Sequence, residues 1–110
     1  MSTESKSIFS LIQRADESAD LVLRLLQGGL NVQAKEEVDE CLGAIVAKMQ
    51  KQYTPNQPLK EVANTMGLVE AKLEGHAWKE IFDLVVILRS QLKAFKNFAE
   101  TYVANVLKDP

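Results

Sequence analysis

A chain of 110 residues, 46% hydrophobic and 25% charged, has the composition of one small folded domain and not of a disordered polar segment. Thirteen basic residues against fifteen acidic ones leave a net charge of −2, which excludes an overall pull toward nucleic acid or an anionic membrane. The single cysteine, Cys41, excludes an internal disulfide and suits a reducing compartment. The opening MSTESKSIF has no secretory signal pattern, and the longest apolar run, residues 84–88, is far short of the roughly 18 residues a membrane span needs. A cytoplasmic protein is expected.

After a polar tail at residues 1–5, Ser5 or Ser7 can cap a first helix, because a hydroxyl there accepts from the free amides of the opening turn. Ile8, Ile12, Ala15, Ala19, Val22 and Leu26 step by fours and threes, the spacing of one helix face. Leu11, Leu23 and Leu25 widen that stripe as a bundle helix requires, and Gly28-Gly29 supplies the left-handed stop. Asn31 is the expected cap of a second helix, with acidic Glu36, Glu37, Asp39 and Glu40 early and Lys48 and Lys51 late, both favourable to the helix dipole. Val38, Leu42, Ile45 and Met49 form its seam. Thr54-Pro55-Asn56-Gln57-Pro58 ends it, and Pro58 suits the first turn of a third helix whose seam is Leu59, Val62, Met66, Val69 and Leu73.

Continuing that third seam would place apolar residues at 76 and 80, where His76 and Glu80 stand. A break at 74–76 is the simplest explanation, and a continuous helix with a stutter is the alternative. From Trp78 a new seam runs through Ile81, Val85, Leu88, Leu92 and Phe95 to Ala99, Tyr102 and Val106 without an interruption. The expected fold is all-α: an antiparallel up-down four-helix bundle with a long C-terminal helix, one domain with helices near 7–27, 32–53, 58–73 and 76–107. In that topology the end holding the 28–31 turn carries ten acidic residues against four basic ones, and the opposite end is basic.

Two carboxylate groups stand out. Glu36, Glu37 and Glu40 form E-E-x-x-E, and Glu80 with Asp83 forms E-x-x-D; acids three apart share a helix face, and the two groups fall at one bundle level. There Glu37, Glu40, Glu80 and Asp83 could share a Mg²⁺, which prefers oxygen ligands. The segments AKEEVDECLGAI and KEIFDLVVIL resemble the motif helices of MazG-type all-α nucleotide pyrophosphohydrolases. The resemblance covers about a fifth of the chain and implies magnesium-dependent hydrolysis of a nucleoside triphosphate. The gap between Glu40 and Glu80 is longer than is usual there, and Phe82 takes a place usually held by a small residue.

His76 with Lys79 faintly echoes the H-x-x-K-G core of histidine phosphotransfer domains, but Glu80 replaces the glycine, and a histidine beside Gly75 reads first as a junction residue. Arg89, Lys93 and Lys96 make a basic strip without the aromatic interleaving of a nucleic-acid surface. Cys41 borders a core seam and reads as a small buried thiol.

The leading expectation is a non-enzymatic bundle with no cofactor, acting by protein–protein contact as an adaptor, chaperone, immunity or regulatory factor. The last helix is expected to overhang the other three by about ten residues. Ala99, Tyr102, Val103, Val106 and Leu107 would then lie uncovered and draw a protein partner or a second copy into a homodimer.

Overall fold

A computed structural model describes the backbone of residues 2–106 and the side chains of residues 8–101. Among the described residues the chain is all-helical, with no strand, and the helices form four rods around one apolar core. The rods are α1 (Ser2–Gln27), a second rod composed of α2 (Asn31–Glu37), a π turn (Val38–Leu42) and α3 (Gly43–Gln52), then α4 (Gln57–Glu74) and α5 (Trp78–Val106). α5 packs mainly on α1 and α4, the second rod packs on α1, and α3 completes the ring against α4. At 29 residues, α5 matches the 42 Å long axis of the molecule.

The heptad seams are the core. Ile8, Ile12, Ala15, Ala19 and Val22 of α1 are buried, as are all five seam residues of α4. On α5, the six seam positions from Ile81 to Ala99 are buried. Leu26 and Trp78, the end positions of two seams, are only partly buried where they pack on the core.

Two junctions are built alike. After α1, the Leu30 amide donates to the Leu25 carbonyl (2.8 Å) and the Gly29 amide to that of Leu26 (3.1 Å), with Gly29 at φ 74. These bonds satisfy carbonyls that the helix end would otherwise leave free. After α4, the Ala77 amide donates to the Lys72 carbonyl (3.3 Å) and the His76 amide to that of Leu73 (3.1 Å). Here His76, at φ 54, holds the left-handed position, while Gly75 stays at φ −89. α4 and α5 are therefore separate helices, and the stutter alternative is overturned. A Lys72–Glu80 ion pair (2.9 Å) spans this turn.

Several local expectations need correction. α1 begins at Ser2 and not near residue 7, so Ser5 and Ser7 lie inside the helix; no Pro or Gly in residues 2–7 stops it from extending. Asn31 is the first residue of α2 and not its cap; Leu30 holds the cap position with no side-chain hydrogen bond. At the next start it is Asn56 that caps, its Oδ1 accepting from the Leu59 amide (2.9 Å) while its Nδ2 donates to the Thr54 carbonyl (2.9 Å).

The π turn explains a detail of the second seam. Ala34, Val38 and Leu42 are all buried at spacings of four. A regular α-helix would rotate such a line by 40° at each step; one wider turn absorbs that drift. The Gly43 amide closes it by donating to the Val38 carbonyl.

Candidate functional site: the groove between the first and last helices

The heptad flanks of α1 and α5 face each other, and there the packing opens. Asp16 and Asp20, one turn apart on α1, meet Arg89 of α5. The guanidinium donates to both oxygens of Asp16 (Nε to Oδ1 2.8 Å, Nη2 to Oδ2 3.0 Å) and, through Nη1, to Asp20 Oδ1 (3.0 Å). Asp20 also pairs with Arg24 (2.9 Å). The two-pronged bond to Asp16 fixes the guanidinium plane, and with Asp20 it holds Arg89 protonated even more firmly than a free arginine.

This bridge crosses a groove of about 730 Å³. Phe9, Ile12 and Leu92 line one end, and Leu23 with Val86 lines the other. Lys93 and Lys96 stand on the rim, and neither has an ion-pair partner among the described residues. Val86 and its neighbour Ile87 are each 47% exposed. Beyond Leu23, a smaller cleft of about 220 Å³ lies among Leu26, Trp78, Lys79 and Phe82. A mostly apolar concavity between two helices with a few charged groups at its edge is the form in which helical proteins receive another helix.

The four carboxylates expected to share a magnesium ion are not brought together. Glu37 Oε2 accepts a hydrogen bond from the buried Ser18 hydroxyl of α1 (2.6 Å), which ties the second rod to the first. Glu80 pairs with Lys72, and Asp83 lies 3.4 Å from Lys79 on its own helix. Glu40 is exposed on the π turn. The second rod packs mainly on α1 and α4, and α5 likewise on α1 and α4. Among the described residues no three His, Cys, Asp or Glu side chains gather to hold a metal ion. The donor set does not fit the magnesium that the family resemblance implies.

His76 is exposed in its junction, its ring stacked on that of Trp78 (centroids 5.4 Å apart, planes 9° apart), which fits a capping residue. Cys41 is partly buried. Ala99, expected on an uncovered surface, is fully buried in the chain's own core. The side chains of Tyr102, Val103, Val106 and Leu107 lie outside the described residues.

Arg89, Lys93 and Lys96 stood out in the sequence only as a weak basic strip, and Asp16, Asp20 and the groove did not stand out at all. The available signal was the four-residue spacing of Asp16 and Asp20 on the flank of the α1 seam. No helix of the described residues is long and apolar enough to cross a membrane. No protein-family model, no curated protein and no solved structure matches this chain.

Proposed function

We propose that this chain works without catalysis, as an up-down-up-down helical bundle that binds protein through the α1–α5 groove. Three neighbourhoods support the topology: Leu26 beside Trp78, Asp16 on Arg89, and Lys72 on Glu80 across a short turn. The observation that carries the functional reading is the groove itself. It is open and apolar at both ends and carries two lysines without ion-pair partners among the described residues, whereas the carboxylates that would have supported hydrolysis stand apart. This reading puts the interaction surface on the middle of α5; of the surface expected at its end, Ala99 is buried and the other four side chains lie outside the described residues.

A thermal-shift titration with Mg²⁺ and nucleoside triphosphates tests the non-catalytic half. No rise in melting temperature is expected with magnesium, nucleotide or both, since a ligand that binds only the folded state must stabilise it. A saturable rise that needs magnesium and disappears in Glu80→Gln overturns the reading.

A further inference from the structure

We infer that the occupant of the α1–α5 groove is a second copy of this chain, docked antiparallel about a two-fold axis near Ser90. This rests on the proposed binding role of the groove. Charge and register favour it. With 1.5 Å per residue, Lys93 and Lys96 stand about 5 and 9 Å below Ser90 along α5. Asp83 stands about 10 Å above it, and Glu17, beside the Asp16 that meets Arg89, lies about 3 Å above. A two-fold axis exchanges above for below, so Lys93 and Lys96 of one copy meet Glu17 and Asp83 of the other, and the reciprocal contacts form as well. The apolar surfaces match in the same register. The Phe9 end of each groove lies opposite the partner's Leu23 and Val86 end, and exposed Val86 supplies a ridge that enters it. The Arg89 bridge, already satisfied within its own chain, stays at the centre. A molecular face of 42 by 21 Å is large enough for the roughly 800 Å² per partner that a stable interface of ordinary size needs.

Light scattering on the intact chain between 1 µM and 1 mM tests this. The mass should rise from 12.3 kDa toward twice that value. Lys93→Glu with Lys96→Glu should weaken dimerisation at least tenfold, and adding Glu17→Lys with Asp83→Lys to that variant should restore it. All four side chains are exposed, so the folded monomer tolerates the changes. A dimer indifferent to the reversal, or one not restored by the compensating pair, overturns the register. A strict monomer at 1 mM overturns the second copy, and the same sample then tests the groove. The probe is a synthetic amphipathic helix with leucines on one face and glutamates along its flank, followed through the backbone amides. Movement confined to residues 9–23 and 86–96 would leave the groove a binding site for another protein; no movement would overturn that reading too.

Discussion

Replacing Tyr53 with phenylalanine removes one buried hydroxyl from the core and leaves the ring in place. Tyr53 ends the second rod, is 1% exposed, and packs its ring against Phe95 at 6.3 Å, yet its hydroxyl has no hydrogen-bond partner among the described residues. A buried polar group left without a partner costs about 1 to 3 kcal/mol, because water's hydrogen bonds are given up and nothing replaces them. Tyr53→Phe should therefore stabilise the fold by about 1 kcal/mol or more, a rise of roughly 4 °C or more in Tm for a chain of this size. The same burial pushes the phenol up to about 12 from its ordinary value near 10. The raised value belongs to the folded state, so its contribution to stability is intact below pH 10. It is lost as pH rises from 10 toward 12, where the unfolded chain ionises and the folded chain does not. Two pH units amount to about 2 to 3 kcal/mol. Urea unfolding of wild type and Tyr53→Phe from pH 8 to 11.5 separates the effects: a constant gap below pH 10, widening above it. Ultraviolet titration of phenolate absorbance supplies the assignment, since the chain has only two tyrosines. A phenylalanine variant less stable than wild type by 1 kcal/mol, or a Tyr53 that ionises near 10, would refute the reasoning.

Three further outcomes follow from particular contacts. Arg89→Met keeps the stem but takes the counter-ion from Asp16 and leaves Asp20 with Arg24 alone; with the Arg89 side chain 36% exposed, a loss of about 1 kcal/mol is expected in urea unfolding, shrinking in high salt. His76→Gly should be more stable than His76→Ala by about 1 kcal/mol, since both lose the stack on Trp78 but only glycine relieves the left-handed backbone; equal thermal stabilities would count against strain at that junction. Asn56→Ala should cost about 1 kcal/mol through loss of the α4 cap, and a variant with unchanged Tm would argue that the cap contributes nothing.

The core was legible because burial in a helical bundle repeats with the helix period. Ile81 through Phe95 announce their buried face by spacing alone, and Gly28-Gly29 announces a stop by composition. What stayed hidden depends on neighbours remote in sequence. Asp16 and Arg89 are 73 positions apart, and each by itself reads as a solvated charge. The groove is a property of how two flanks fit together. His76 was legible as a junction residue, but that it and not Gly75 takes the left-handed position and stacks on Trp78 was not. The two acidic motifs share a helical level on paper, but their acids go to separate partners, Glu37 to Ser18 and Glu80 to Lys72.

The most direct test of the central claim is a dilution series of amide spectra on the isotopically labelled chain from 1 mM to 20 µM. If the α1–α5 groove is where this protein meets its own copy, amides of residues 9–23 and 86–96 shift with concentration, while those on the outer face of α4, near Lys60, Asn64 and Ala71, stay still. Shifts centred on α4 or on the second rod, or a spectrum that does not change with concentration, would contradict it.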